Sequence, residues 1–325
     1  MINFKQKIAQ EISKTTNISE NQIIEYIEVP TDEKMGDFSF PCFKLAKELK
    51  KAPAVIAQEI KENIKSKVAL LDKKPRIDFI YFENDKSTEI YFNRAKKSAE
   101  SAGMIGALHN LNANTSEKDF LTLIEYLNEE KETNGIMIQA PLPKHIDKKK
   151  VYETISPDKD VDAISNVSLG KIFLGESKLI PCTVKSVMAL LKKTKIKIEG
   201  ANAVVVGRSD IVGKPLAHLL LQESATVTIT HSKTKNLKEI CKKADILCVS
   251  IGKAEYITEE YIKEGAIVID IGINVLEDGS IKGDVKFDEV SKLASFITPT
   301  PNGVGSVTVA MLLDNLLYLY NLQNQ

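Results

Sequence analysis

The stretch Ala203-Val-Val-Val-Gly-Arg-Ser-Asp-Ile-Val-Gly-Lys-Pro215 predicts a buried strand, a glycine turn and a helix that opens at a second glycine. Such a turn lets backbone N–H groups and a helix N-terminus approach a phosphate, so the segment indicates a nucleotide-binding crossover. The glycine spacing differs from the common G-x-G-x-x-G pattern, and a plain strand-to-helix turn therefore stays open as the alternative.

Outward from this stretch the chain alternates predicted strands with predicted helices. Alternation of this kind gives parallel sheets with right-handed crossovers, and two groups of strands predict an α/β protein of two lobes with a cleft between them. The helices expected from apolar periodicity are Ile56–Val68, Tyr91–Ala102 and a buried Val307–Tyr320. The predicted strands are 76–82, 135–139, 201–206, 226–230, 246–250 and 266–271.

Composition sets limits on the protein class. The 325 residues are enough for two or three domains, and 44 Lys and Arg balance 44 Asp and Glu, so no global field favours nucleic acid or an anionic membrane. The four cysteines form no C-x-x-C pair, and we expect buried thiols with neither zinc nor disulfides. Without a signal peptide or a long apolar run, the expected location is the cytoplasm, away from membranes.

The segment Thr230-His-Ser-Lys-Thr-Lys235, at the end of the second strand of this lobe, carries no acidic residue. Folds that bind NAD usually place an Asp or Glu there for the ribose hydroxyls, whereas cations and hydroxyls suit a 2′-phosphate. Together with Arg208 this favours NADP over NAD as the cofactor. The alternative is that His231 and Lys233 are ordinary exposed loop residues.

The first lobe carries the candidate chemistry at Tyr91, Gln139 and Asp162. Gln139 ends a strand ahead of Ala140-Pro-Leu-Pro143, and polar groups at the carboxyl ends of parallel strands converge on the cleft. Spacing alone does not separate catalysis from structure here, because a tyrosine at a helix start more often packs and Pro-Leu-Pro alone is a stiff turn.

Seven strings occur in order over roughly residues 55–320. They are Ile138-Gln-Ala-Pro-Leu-Pro143, Pro157-Asp-Lys-Asp-Val-Asp162, Pro181-Cys-Thr183, Val206–Pro215, Gly265-Ala-Ile-Val-Ile-Asp-Ile-Gly-Ile-Asn274, Gly283-Asp-Val285 and Thr298-Pro-Thr-Pro-Asn-Gly-Val-Gly305. Together they resemble the methylenetetrahydrofolate dehydrogenase/cyclohydrolase family in order and spacing, and the full set is far more specific than any one string. A different two-lobed dehydrogenase acting on an amino or hydroxy acid fits the glycine turn but not the Gln139 segment.

The resemblance implies oxidation of 5,10-methylenetetrahydrofolate by NADP⁺, followed by hydration to 10-formyltetrahydrofolate, in a homodimer. It implies that Asp162 binds the pterin edge, that Tyr91 packs on the folate, and that Gln139 orients a catalytic lysine. These three are the predicted catalytic residues, and Tyr91, Asp162, Pro301 and Gly303 are the predicted substrate contacts. The predicted cofactor contacts are Gly207, Arg208, Ser209, Gly213, His231, Ser232, Thr234 and Ile273.

The chain departs from the family at the lysine itself. The family motif Tyr-x-x-x-Lys reads Tyr91-Phe-Asn-Arg-Ala95, and Lys96 and Lys97 lie about 100° and 200° further around a helix. We therefore expect a dehydrogenase whose cyclohydrolase step is weakened or lost. The alternatives are a full bifunctional enzyme with a lysine from another helix, or a catalytically impaired protein. Further departures that put folate affinity in doubt are Ala163, Val184, Asn302 and Ser306.

The N-terminal region differs in style from the rest. Gly36-Asp-Phe-Ser-Phe-Pro-Cys-Phe-Lys-Leu-Ala-Lys47 resembles the N-terminal additional domain of arginyl-tRNA synthetases, which in that family contacts tRNA. A small helical cap with a solvated lysine face is the simpler interpretation, and a non-catalytic tRNA-binding or folate-sensing protein is the alternative function. The expected domains are a helical extension at 1–54, a folate lobe at 55–172 plus 306–325, and a Rossmann-like NAD(P) lobe at 173–305.

Overall fold

The computed structural model describes residues 4–15, 19–27, 52–83, 86–194 and 196–325. The chain divides into two compact units, Met1–Lys51 and Ala52–Gln325. The first unit contains helices α1 (Phe4–Thr15) and α2 (Glu20–Tyr26), where Lys5 Nζ donates to the Ile27 carbonyl at 2.9 Å. The synthetase-like motif of residues 36–47 and Cys42 lie outside the described residues.

The second unit begins with helix α3, Ala52–Val68, and builds its first lobe around a parallel sheet. The sheet has the order β2-β1-β3, with Ile80 of β1 opposite His109 and Ile138. A parallel sheet covered by helices needs apolar strands, and β1 is buried over nearly its whole length. The elements are β1 (Arg76–Phe82), α4 (Lys86–Ser101), β2 (Ile105–Leu111), α5 (Glu117–Glu129), β3 (Gly135–Ile138), α6 (Lys148–Thr154) and α7 (Asn166–Phe173).

The second lobe is a parallel sheet of five strands in the order β10-β7-β6-β4-β5. The predicted α/β class, with a Rossmann-like second lobe, is confirmed. A small antiparallel pair, β8 (Asn274–Val275) and β9 (Ile281–Lys282), follows the central strands. The other elements are α8 (Cys182–Lys193), β4 (Asn202–Val206), α9 (Gly213–Gln222), β5 (Thr226–Thr230), α10 (Leu237–Cys241), β6 (Ile246–Val249), a 3₁₀ turn (Glu259–Tyr261), β7 (Ile267–Asp270), α11 (Phe287–Val290) and β10 (Phe296–Ile297).

The last helix, α12 (Val304–Gln323), returns the chain to the first lobe and packs between α3 and α8. Its central residues Val307, Leu312, Leu313 and Leu316 are fully buried, in agreement with the expectation of a buried helix. Such burial stabilises the unit because each large apolar side chain taken out of water contributes about 1.5–3 kcal/mol. No described helix is both long and apolar enough to cross a membrane.

One local prediction was wrong, and one strand was missed. Tyr91 does not begin a helix, because α4 starts at Lys86; its first turn is polar, so apolar periodicity becomes visible only at Tyr91. Strand β2 was not predicted because Ile105-Gly-Ala-Leu-His-Asn-Leu111 lacks a β-branched run and lies at the sheet edge, where most of its residues are only half-buried. The three described cysteines, Cys182, Cys241 and Cys248, are buried free thiols.

Candidate functional site

The glycine turn after β4 brings backbone segments into close approach. Gly207 has a φ of +131°, and a Cβ there would lie 2.2 Å from the Ser250 carbonyl oxygen. A Cβ on Gly213 would lie 2.4 Å from the Gly207 carbonyl oxygen, and Ser209 Oγ accepts the Gly213 N–H at 3.2 Å. Only glycine fits at these two positions, and the helix N-terminus of α9 opens directly onto the turn.

A second turn lies beside the first, at the end of β5. The Gly207 N–H donates to the Thr230 carbonyl at 3.0 Å, which joins the two turns. Within the second turn the His231 N–H donates to Thr234 Oγ1 at 2.8 Å, and the Lys233 N–H donates to His231 Nδ1 at 3.1 Å. Ser232 and Arg208 are exposed beside it. The pair of turns offers cations, hydroxyls and amides, a donor set suited to phosphate groups.

Gln139 lies directly after β3 and is buried. Its Oε1 accepts the Phe82 N–H at 2.7 Å, and its own N–H donates to the Ile80 carbonyl at 2.9 Å. The glutamine therefore ties the ends of β1 and β3 together at the carboxyl edge of the sheet. The following peptide, Ala140–Pro141, is cis.

Asp162 meets the start of helix α8. One carboxylate oxygen accepts the Cys182 N–H at 2.8 Å, while burial raises the pKa of Asp162 to about 6. Burial also raises the pKa of Tyr91, with further contributions from nearby Cys182 and Asp162. Tyr91 packs against the core cluster that contains Val161, Ala163 and Cys182, so it lies in the same lobe as Asp162, which is 71 positions away in the sequence.

Asn315 of α12 supports this group from behind, and sequence reasoning missed it. Its Nδ2 donates to the carbonyls of Val161 and Ile180 at 2.9 and 2.8 Å, and its Oδ1 accepts from Lys185 Nζ at 2.7 Å. Its full burial within an apolar helix was the available signal, because a buried polar side chain needs partners. Cys182 lies within the family string Pro181-Cys-Thr183, but no role was predicted for it.

The position of the family lysine is part of the core. Ala95 is fully buried, as is Ala99 one turn further along α4. The neighbouring cations lie elsewhere on the helix: Arg94 and Lys97 are exposed, and Lys96 pairs with Glu100 at 3.8 Å.

The remaining predicted residues lie around the start of α12. Gly303 directly precedes the helix, and a Cβ there would lie 2.1 Å from the Pro299 carbonyl oxygen. Pro301 is exposed after a cis peptide with Thr300, and the exposed Ile273 places its Cδ1 3.7 Å from the point that a Cβ on Gly305 would occupy.

The other departures from the family pattern affect the backbone. Ala163 and Asn302 adopt φ values of +51° and +73°, in the left-handed region that favours glycine. The Ser306 N–H donates to the Gly303 carbonyl at 3.1 Å, a bond that a proline there would lack. Val184 is fully buried in α8. Among the residues that the structure describes, no group of three or more His, Cys, Asp or Glu could hold a metal ion.

Comparison with known families gives three matches along the chain. The tetrahydrofolate dehydrogenase/cyclohydrolase catalytic domain matches residues 53–162, and the NAD(P)-binding domain of the same family matches residues 181–324. The arginyl tRNA synthetase N terminal domain matches residues 3–76.

Individual relatives match nearly all of their own length. The bifunctional protein FolD of Brachyspira hyodysenteriae is 78% identical over 265 residues, which cover 82% of this chain and 94% of the relative. The bifunctional protein FolD of Bacillus velezensis is 48% identical over 262 residues, which cover 80% of this chain and 93% of the relative.

Solved structures give the same result. The bifunctional FolD enzyme from Campylobacter jejuni is 40% identical, with a TM-score of 0.80 over 83% of this chain and 97% of that one. The dehydrogenase-cyclohydrolase from Trypanosoma brucei, solved with NADP cofactor and inhibitor, is 35% identical, with a TM-score of 0.80. The match covers 83% of this chain and 96% of that one.

Proposed function

Because the chain belongs to the tetrahydrofolate dehydrogenase/cyclohydrolase family, we propose that it oxidises 5,10-methylenetetrahydrofolate to 5,10-methenyltetrahydrofolate with NADP⁺. The observation that carries the proposal is that Tyr91 packs against the core that includes Val161 and Ala163 on either side of Asp162, within the same unit as a nucleotide turn at Gly207. In this reaction a C–H bond of the methylene bridge breaks, and a nitrogen lone pair completes the methenyl cation. NADP⁺, when bound, accepts the hydride.

The two turns of the second lobe fit this cofactor. Gly207 and Gly213 carry no side chain where backbone segments approach closely, and α9 presents its N-terminus to a pyrophosphate. We assign the pyrophosphate to the first turn, with Arg208 and Ser209 beside it. The 2′-phosphate is assigned to His231, Ser232 and Thr234, and the nicotinamide end to Ile273. The absence of an acid in the second turn supports NADP over NAD.

The folate binds, in this proposal, against Asp162 and Tyr91. Asp162 accepts from the pterin amino and ring N–H groups, since an ionised carboxylate is an acceptor only and a strong one. Tyr91 packs on the ring system, and Pro301 and Gly303 border the substrate. Hydride transfer needs mainly correct placement of two ring systems, which these contacts supply.

We further propose that the hydration step is weak. Water must attack the methenyl carbon, lose a proton and allow a C–N bond to break, which requires a group that moves protons near neutral pH. Ala95 carries none, and Gln139 Oε1 already accepts from the Phe82 backbone. The relatives are named bifunctional, so the full two-step activity is the competing candidate.

One assay tests both steps. The purified protein receives 5,10-methylenetetrahydrofolate with NADP⁺ or NAD⁺, and reduced cofactor and the methenyl product are followed together. NADPH formation with accumulating methenyltetrahydrofolate is the expected result. Accumulation of 10-formyltetrahydrofolate at the rate of NADPH formation would favour the bifunctional enzyme instead, and no reduction of either cofactor would end the dehydrogenase proposal.

Two partner predictions remain. The match of residues 3–76 to a synthetase domain favours tRNA binding by the N-terminal unit, which a gel-shift titration at two salt concentrations tests with and without residues 1–51. The absence of any shift at low salt would dispose of it. Homodimer formation is tested by light scattering, where the monomer mass of 36.0 kDa would contradict it.

A further inference from the structure

Asp284, which follows β9, is a fully buried carboxylate without a part in the proposed reaction. Its Oδ2 accepts the N–H groups of Ile251 and Gly252 at 2.6 and 3.0 Å, and its Oδ1 accepts the Lys253 N–H at 2.8 Å. Three consecutive backbone amides thus converge on one side chain, in the manner of the nests that hold anions. The loop after β6 is folded around this charge.

The same carboxylate also holds the loop after β7. Asn274 Nδ2 donates to Asp284 Oδ1 at 2.9 Å, and a Cβ on Gly272 would lie 2.2 Å from the Asp284 carboxyl carbon. Gly272 is therefore a glycine because the carboxylate occupies the space of its side chain. Between Gly272 and Asn274 lies the exposed Ile273.

A second buried carboxylate, Asp270, locks Asp284 in place. Asp270 ends β7 and accepts the N–H groups of Asp284, Val285 and Gly272, each at 3.0 Å. Asp270 therefore holds the backbone around Asp284, and Asp284 in turn holds the loop after β6. We call this arrangement of the two carboxylates and the loops they bind the carboxylate corner. Each of them is surrounded by amide donors, which compensate for the removal of its charge from water.

This corner adjoins the glycine turn. The Ser250 N–H donates to the Val206 carbonyl at 2.8 Å, and the Ser250 carbonyl oxygen occupies the space where a Gly207 side chain would lie. The loop that Asp284 folds begins with the next residue, Ile251. The carboxyl edge of the sheet is where ligands of open α/β folds bind, and both loops held by Asp284 lie on it.

We propose that Asp284 is a positioning residue for the cofactor, one that fixes the loops after β6 and β7 against which NADP binds. The inference rests on the proposed function and adds to it a residue that does not contact the ligand. The internal carboxylate fixes both loops before the cofactor arrives, so binding does not spend free energy on ordering them.

Replacing Asp284 with asparagine tests this directly. The amide keeps the shape but has one acceptor oxygen, so its NH₂ group faces backbone N–H donors and at least one of them loses its partner. NADPH binding to purified Asp284→Asn, measured by cofactor fluorescence, is expected to weaken by about tenfold or more, as loss of one or two hydrogen bonds implies. The KM for folate is expected to change less than that for NADP⁺.

The matched control is Asp78→Asn, because Asp78 is an equally buried carboxylate of the first lobe, bound by Arg76, His109 and Thr133. Both variants are expected to lower the melting temperature, and only Asp284→Asn is expected to weaken NADPH binding. Equal weakening of NADPH binding in both variants, or unchanged binding in Asp284→Asn, would overturn the inference.

If Asp284→Asn does not fold, the variant Asn274→Ala takes its place, because it removes a single bond to the carboxylate. It is expected to weaken NADPH binding several-fold, and unchanged binding would likewise overturn the inference. Wild-type protein that binds no NADPH would instead refute the proposed function, and the inference with it.

Discussion

Asp162 accepts a hydrogen bond from the Cys182 N–H at 2.8 Å, across 20 residues of chain. Cys182 is the first residue of α8, so the carboxylate lies at a helix N-terminus, where N–H groups lack partners within the helix. A negative charge is favourable there, which opposes the effect of burial on this pKa. One oxygen of Asp162 therefore has a structural role. The hydrogen bond from Cys182 also orients the carboxylate for the proposed contact with folate.

The pH dependence of folate binding follows from the pKa of Asp162. Burial raises it to about 6, so the group is ionised above pH 6 and becomes protonated as the pH falls through that value. We expect kcat/KM for methylenetetrahydrofolate to fall by about tenfold per pH unit below 6, as titration of a single essential carboxylate requires. Asp162→Asn should abolish this dependence together with most of the activity. A flat profile between pH 5 and 7 in the wild type would contradict the role.

Restoring an amine at position 95 should restore hydration. In Ala95→Lys the new side chain begins on the buried face of α4, and we expect methenyltetrahydrofolate hydrolysis to rise by about 10²-fold or more, the usual contribution of a positioned acid–base group. The control is Ala99→Lys, equally buried and one turn further along the same face. Ala99→Lys should lose as much stability as Ala95→Lys but should not increase methenyltetrahydrofolate hydrolysis. No gain from Ala95→Lys, in a variant that still forms NADPH, would show that the missing lysine is not what limits hydration.

Asn302 should tolerate glycine but not a β-branched residue. At φ +73° a left-handed conformation costs an L-residue about 1–2 kcal/mol, less for asparagine and more for valine. We expect Asn302→Val to lower the free energy of unfolding in urea by at least about 1 kcal/mol and Asn302→Gly to leave it within about 0.5 kcal/mol. Asn302 is exposed, so loss of packing does not confuse the comparison. Equal stability of the two variants would mean that the loop relaxes away from this conformation.

The buried carboxylate of Asp78 should stabilise the first lobe in a pH-dependent way. Burial raises its pKa, but the hydrogen bonds from His109, Arg76 and Thr133 outweigh this and leave the pKa below the ordinary value. A lowered pKa means that the stabilisation is present above the unfolded-state pKa of about 4 and is lost as the pH falls below it. The difference in unfolding free energy between wild type and Asp78→Asn should therefore be larger at pH 7 than at pH 3.5. A difference that does not change with pH would indicate a purely steric effect.

Local sequence patterns predicted most of the helices and strands named from them, but they could not predict contacts between distant segments. The crossover at Gly207 could be predicted because strand, turn and helix are adjacent in sequence, and their periods differ. The bonds of Asn315 to Val161 and Ile180 join segments more than 130 residues apart, which no local pattern encodes. The start of α4 was misplaced because polar first turns carry no periodicity. The roles of the predicted site residues remain predictions that the experiments above test.

Helix α3 lies within the matches to two different families. The synthetase N-terminal domain and the folate catalytic domain overlap over residues 53–76, a span that contains most of Ala52–Val68. Ile56, Ala57 and Ile64 are buried in the core of the second unit, where α3 packs on α12. A truncation that removes the N-terminal unit should therefore end at Lys51, because removal of residues 1–54 would cut away the start of this helix.

That overlap also constrains the length of α3, because the same turns of one helix match both families. The helix accepts substitutions on its exposed face but not changes of length, because one inserted residue turns the following positions by about 100° and takes Ile56 and Ala57 out of phase with Ile64. Proteins that carry both domains should therefore vary in the residue types of α3 and keep its number of residues.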